Sequence, residues 1–189
     1  MGTVEKKKVP WMSRIAVMGS AFNPPSLGHL DVIRQALAQC DRVWLVPSYR
    51  HAWGKVMAPY DFRCDLVRLF LQDIHDPRVR LCAIEHLLVT NNQPVYSYDV
   101  LNALQEDVTA GDELSLVIGP DNERAFDRFY KADDIKRRWS LLVVEERLTI
   151  RSTSIRDALL HQQSVLDLTT PSVGEYLMHN TIYNSELSA

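Results

Sequence analysis

The sequence predicts a doubly wound α/β fold, in which a mostly parallel sheet of five to six strands carries helices on both faces. Three observations predict it. Short apolar runs alternate along the chain with stretches whose apolar residues recur at helical spacing. The runs are apolar throughout, as strands of a sheet covered on both faces must be. The first and fourth runs each end at a glycine, Gly19 and Gly119, where the chain enters a loop unusually rich in polar and turn-forming residues.

Arg14 to Met18 is the first expected strand, and Leu30, Ile33 and Leu37 mark a helix from His29 to about Gln39. Arg42 to Val46 is the second strand, stopped by Pro47. The stretch from Ser48 to Pro59 is long and irregular, and Phe62, Leu66, Leu69 and Phe70 then mark one face of a helix. Arg63 lies in the first turn of that helix and is read as a surface residue, a phosphate contact being the alternative. Val79 to Ala83 is the third strand and Glu85 to Pro94 a loop. Tyr98, Leu101 and Leu104 mark a helix ending near Gly111, and Leu114 to Ile118 is the fourth strand. A short helix begins near Asp121, Leu141 to Val144 is the fifth strand, and Pro171 opens a final helix to about Met178. Ser152, Thr153 and Ser154 precede Ile155 and Leu159, and any of the three hydroxyls is expected to cap that helix, Ser154 with Asp157 fitting a capping box.

At 189 residues, with 46% hydrophobic and 24% charged residues, the chain suits a single buried core. One domain over 13–189 is expected, preceded by a flexible tail at 1–12. A net charge of −3 argues against a non-specific nucleic-acid binder. The three cysteines, Cys40, Cys64 and Cys82, are far apart and show no zinc spacing, which reads as free thiols in a reducing, cytoplasmic setting. Lys6, Lys7 and Lys8 have no apolar run behind them, so the start reads as neither a signal peptide nor an anchor. No stretch approaches the roughly 20 apolar residues of a membrane span. Homo-oligomerisation is left open.

Neither a GxGxxG fingerprint nor a P-loop occurs. The informative segment is GSAFNPPSLGH over 19–29, directly after the first strand. Gly19 permits a sharp turn, Pro24 and Pro25 stiffen the loop, and Gly28 permits close approach to the following helix. His29 falls in that helix's first turn, where free N–H groups and the helix dipole favour an anion. The alternative is a tight strand-to-helix loop with an exposed histidine.

GSAFNPPSLGHL resembles the signature of the nucleotidyltransferase superfamily, G-x-F-[DN]-P-x-H-x-G-H, in the form seen in its bacterial nicotinate mononucleotide adenylyltransferases. Five further matches follow in the same order. Ser97-Tyr98 resembles the start of that family's third helix. Ile118 to Asp121 is similar to its strand-end I-G-x-D, and Phe129-Tyr130 to its Trp-Tyr. Ile150 to Arg156 is similar to its I-S-[SA]-T-x-I-R. Thr170 to Leu177, with Tyr183, resembles its closing helix, so the resemblance runs from about Arg14 to Tyr183. This chain departs from the pattern at Ser26, which replaces the first histidine, at Asp99, which replaces threonine, and at Phe129, which replaces tryptophan. His51 to Lys55 takes the place of Pro-Pro-His-Lys, with Lys55 as counterpart of the lysine.

The resemblance implies a Rossmann-like enzyme that transfers AMP from ATP, as its Mg2+ complex, to nicotinate or nicotinamide mononucleotide and releases pyrophosphate. Another phosphorylated acceptor, or a non-catalytic nucleotide sensor, is the alternative. It implies His29, Ser26, Lys55 and Arg156 at the reacting phosphates. Gly19, Ser20, Phe22, Gly28, Gly119, Asp121, Ser152, Thr153 and Ser154 would then meet ATP. Asn23, Trp53, Ser97, Tyr98, Phe129 and Tyr130, with Lys55, would meet the acceptor. No protein metal cage is implied, because magnesium rides on the triphosphate. By residue type alone, Arg156 equally suits surface pairing with Asp157 or Glu175, and Asp121 suits a helix cap.

Overall fold

In the computed structural model, which describes residues 12–50, 54, 56–90 and 93–183, the strands pair all-parallel into one sheet. Its order is β3-β2-β1-β4-β5, from β1 (Arg14–Ser20), β2 (Arg42–Pro47), β3 (Val79–Leu81), β4 (Glu113–Ile118) and β5 (Ser140–Val143). Successive side chains of a strand point to opposite faces, and both faces here are buried. Ala16 and Met18 of β1 join Val43 and Leu45 of β2 in one layer, under α1 (Leu27–Leu37), α2 (Tyr60–Ile74), α7 (Ser152–Leu160) and α8 (Pro171–Met178). Ile15 and Val17 join Trp44 and Val46 in the other, under α4 (Ser97–Asp107) and α6 (Ala132–Arg138). The two layers explain why the strands read as unbroken apolar runs.

Strand order reverses at β1: the chain moves outward to β2 and β3, then returns to the far side of β1 for β4 and β5. At such a switch point the loops leaving β1 and β4 diverge and leave a crevice at their carboxyl ends. Those loops carry the 19–29 segment and Gly119 to Asp121.

Four expectations are corrected. Glu85 to Leu88 form a short helix, α3, where a loop was expected. α6 was not expected: only Ala132 and Ile135 of its seven residues are buried, too few to show a period. Ser152, Thr153 and Ser154 do not cap α7; Arg151 occupies the cap position and the three fill the first turn, Ser152 Oγ donating instead to the Pro24 carbonyl at 2.6 Å. Arg63 is not on the surface. It is 1% exposed, on the same face of α2 as Leu66, Val67 and Phe70.

Candidate active site

A cavity of about 520 Å³ occupies the crevice at the switch point. From the β1 side it is lined by Gly19, Ser20, Asn23, Ser26, Gly28 and His29. Gly119 and Asp121 close it from the β4 side, and Ser152, Thr153 and Arg156 from α7. Three segments far apart in sequence therefore meet because β1 and β4 are neighbours.

His29 is the third residue of α1, and Ser26 its N-cap. The Ser26 backbone N–H lies 3.0 Å from His29 Nδ1. A backbone N–H can only donate, so Nδ1 accepts, and in the neutral ring the proton sits on Nε2. Burial pushes the imidazole down to about 4, so the ring is neutral near pH 7. Nε2 is 3.0 Å from Ser20 Oγ, which accepts its proton and keeps its own for another partner. Ser26 Oγ lies 2.9 Å from Nδ1 and 3.1 Å from the Ile150 carbonyl, two acceptors sharing one hydroxyl proton. Buried at 1% exposure, Ser26 orients the ring and ties α1 to the approach of α7. Gly28 is required at that junction: a Cβ there would stand 2.3 Å from the Ile150 carbonyl oxygen.

Arg156 is 4% exposed and lines the cavity. Nη1 donates to the Asn23 carbonyl at 2.8 Å and Nη2 makes a long contact of 3.5 Å to Thr153 Oγ1. Nε is buried with no partner, and among the described residues no carboxylate pairs with this guanidinium. The surface pairing with Asp157 or Glu175 is therefore not formed. Arginines nearer the rim are matched: Arg124 with Asp121, Arg147 with Glu145, Arg151 with Glu146. A buried cation without a counter-ion is costly, and one facing a cavity beside two helix N-termini is a place for an anion.

Asn23 is 3% exposed and acts as a crosslink. Its Oδ1 accepts from the Ala58 N–H at 3.1 Å and from Tyr183 Oη at 2.9 Å. Because the Ala58 N–H must donate, the amide orientation is fixed and Nδ2 is the group left for the cavity.

The expected residues do not all meet. Phe22 is fully buried behind His29, ring centroids 4.9 Å apart, and with Ser154 stands outside the cavity wall. Ser97 opens α4, while Tyr98, Phe129 and Tyr130 belong to aromatic contacts away from the cavity. There Tyr98 faces Tyr130 and Trp139, and Phe129 stacks on Phe126 at 4.8 Å. None of these four lines the cavity. Trp53 and Lys55 lie outside the described residues. A second cavity, of about 690 Å³, adjoins the first at Met57 and is lined by Tyr49, Tyr60, Arg63 and His86. Sequence reasoning missed Tyr49, Tyr60 and His86, whose helical and loop positions carry no motif, and read Arg63 as a surface residue with a phosphate contact as the alternative.

Glu85 sits behind that second cavity, 5% exposed, its Oε2 accepting from the Tyr49 N–H at 2.8 Å. Burial pushes its carboxyl up to about 7, against the opposing pull of the Tyr49 N–H and Arg63. A folded-state value above the unfolded one favours folding fully only below the unfolded value of 4.5; that advantage is lost as pH rises through 7. Glu85→Gln keeps an acceptor for Tyr49 and removes the titration. Urea unfolding at pH 5 and pH 8 should therefore show the unsubstituted chain losing on the order of 3 kcal/mol relative to Glu85→Gln at the higher pH. Parallel pH profiles would show that Glu85 does not titrate there.

A model of the family described as cytidylyltransferase-like matches residues 17–173. The chain belongs to the cytidylyltransferase-like family. The protein is an enzyme of the nucleotidyltransferase class. It is similar to a crystal structure from Vibrio parahaemolyticus provisionally named nicotinate-nucleotide adenylyltransferase, at 40% identity over 88% of this chain and 99% of that one, TM-score 0.77. It is 23% identical to the Bacillus subtilis nicotinate-nucleotide adenylyltransferase, covering 92% of this chain and 100% of that protein. A Plasmodium falciparum nicotinic acid mononucleotide adenylyltransferase, solved with NaAD, shares the fold at 13% identity and a TM-score of 0.67 over 92% and 98% of the two chains. The parallel, doubly wound sheet expected from the sequence is the cytidylyltransferase-like fold of these neighbours.

Proposed function

We propose that the protein transfers AMP from ATP to nicotinate mononucleotide, or to its amide nicotinamide mononucleotide, releasing pyrophosphate in the biosynthesis of NAD. The observation that carries this reading is Arg156. It is a buried cation with no carboxylate partner, opening into the same cavity as a neutral His29 whose Nε2–H is free to turn to a ligand. A triphosphate supplies the missing anion, and two helix N-termini supply backbone N–H groups.

In this reading the acceptor phosphate, already ionised at neutral pH, attacks the α-phosphorus in line and pyrophosphate departs. No enzyme nucleophile or general base is needed, so the residues act by positioning and charge stabilisation. His29 Nε2–H leaves Ser20 Oγ for a non-bridging α-oxygen as charge develops there. Ser26 holds the ring, and Ser20 is left with a hydroxyl to donate. Arg156 and the first turn of α7 hold the β- and γ-phosphates, and Asp121 meets a ribose hydroxyl once released from Arg124. Lys55, outside the described residues, is assigned to the reacting phosphates by resemblance alone. Magnesium enters as the ATP complex and neutralises triphosphate charge. Among the described residues no group of three acidic, cysteine or histidine side chains could hold a metal ion.

We place the active unit in one domain over 13–189. Three buried free thiols support the proposed reducing, cytoplasmic setting; no helix among the described residues is long and apolar enough to cross a membrane. The test is pyrophosphate release from Mg·ATP with each mononucleotide. Turnover is expected, and the ratio of kcat/KM names the acceptor. Absence of release with both would sink the acceptor assignment, and other phosphorylated acceptors or a nucleotide-sensing role would take its place.

A further inference from the structure

Arg63 is the largest fully buried side chain of the described residues, and it makes no bond to a carboxylate. Its guanidinium donates to three backbone carbonyls: Nη1 to Ala21 at 2.5 Å, Nη2 to Ser48 at 2.6 Å and Nε to Ala58 at 2.8 Å. The positions of those carbonyls matter. Ser48 directly follows β2 and Ala58 shortly precedes α2, and Ala21 belongs to the loop that carries Asn23, Ser26 and His29.

The same stretches are pinned by their own N–H groups. The Ser48 N–H donates to the Ser20 carbonyl at 2.9 Å, the Tyr49 N–H to Glu85 at 2.8 Å and the Ala58 N–H to Asn23 Oδ1 at 3.1 Å. Burying a guanidinium is unfavourable unless its hydrogens are used. Here they are spent on backbone from three segments, which fixes the distances between those segments. A planar fork with five donors can span three carbonyls; an ammonium, with all donors on one nitrogen, cannot.

We propose that Arg63 is a positioning residue of the transfer reaction. It clamps the backbone at Ser48 and Ala58 to the loop after β1 and so fixes the cavity wall at Met57 against the loop that carries Asn23, Ser26 and His29. Met57, inside the clamp, lines both cavities, so a shift of that backbone moves the wall between them. Arg63 acts through the backbone carbonyls it holds. The kinetic consequence rests on the adenylyl-transfer reading; the clamp does not.

The test is Arg63→Lys in the full chain, read by hydrogen exchange, ATP binding calorimetry and pyrophosphate release. The amides of Ser48, Tyr49 and Ala58 should exchange at least about tenfold faster while those of β1 and β4 keep their protection. ATP should bind within about threefold of the unsubstituted protein while kcat falls at least about tenfold, a loss of alignment without loss of ground-state binding. Unchanged protection of the three amides, exchange raised equally in β1 and β4, or a kcat within about threefold would each overturn the proposal. If the unsubstituted protein releases no pyrophosphate, the adenylyl-transfer reading fails and hydrogen exchange alone decides the clamp. Should Arg63→Lys not fold, the unsubstituted protein still tests it: the Arg63 Nε–H should give a slowly exchanging NMR signal with hindered guanidinium rotation. A freely rotating guanidinium would refute the clamp.

Discussion

Replacing His29 by alanine should lower kcat by about 100-fold or more while leaving the KM for ATP within a few fold. The ring is held from behind by the Ser26 N–H, which fixes Nδ1 as acceptor and Nε2–H as donor. In the free protein that donor rests on Ser20 Oγ at 3.0 Å. Exchange of a neutral hydroxyl for a ground-state phosphate gains little, but the developing charge of the transition state strengthens the same bond. The loss should therefore fall on kcat and kcat/KM together. With burial holding the imidazole down to about 4, the free enzyme's pH–rate profile should show no histidine inflection near 6.5. A raised KM at unchanged kcat would demote His29 to simple binding.

Arg156→Met should weaken ATP binding by about 10- to 100-fold, the range expected for charged hydrogen bonds worth roughly 1.5–3 kcal/mol. The apo protein should be no less stable than the unsubstituted chain. That combination follows from the guanidinium's setting: buried, bonded to the Asn23 carbonyl, and without an acid. An apolar side chain of similar volume removes the desolvation penalty of an uncompensated cation, a change often neutral or stabilising. Calorimetry with ATP and urea unfolding of the apo protein read the two effects separately. Destabilisation by several kcal/mol with ATP affinity retained would assign Arg156 to the fold and remove the triphosphate from its neighbourhood.

Much of this was legible residue by residue. The apolar runs from Arg14, Arg42 and Leu114 and the helical spacing of Leu30, Ile33 and Leu37 foretold strands and helices that formed close to their expected bounds. Gly19, His29, Gly119 and Arg156 do reach one cavity. Arg63 was misread because its residue type argues for solvent. Its spacing argued otherwise, since positions 63, 67 and 70 share one helical face with Leu66. α6 escaped because its charged residues, Asp133, Asp134, Lys136, Arg137 and Arg138, outnumber the two that are buried. Tyr98, Phe129 and Tyr130 are expected at the acceptor by resemblance; in the fold Tyr98 packs on Tyr130 and Trp139, and Phe129 on Phe126.

By itself the sequence determined what depends on near neighbours: the strand and helix periods, the turn at the 19–29 segment, and a histidine in the first turn of α1. The tertiary structure alone decided which polar groups lose water and what they find in its place. Asn23 meets Tyr183 across 160 positions and Arg156 across 133, contacts that exist only because the sheet order sets β1 between β2 and β4. Local spacing carries no record of that order. Whether an arginine ends paired at the rim, like Arg151, clamped on carbonyls, like Arg63, or buried without an acid, like Arg156, is settled when the strands line up and the loops above them close on one another.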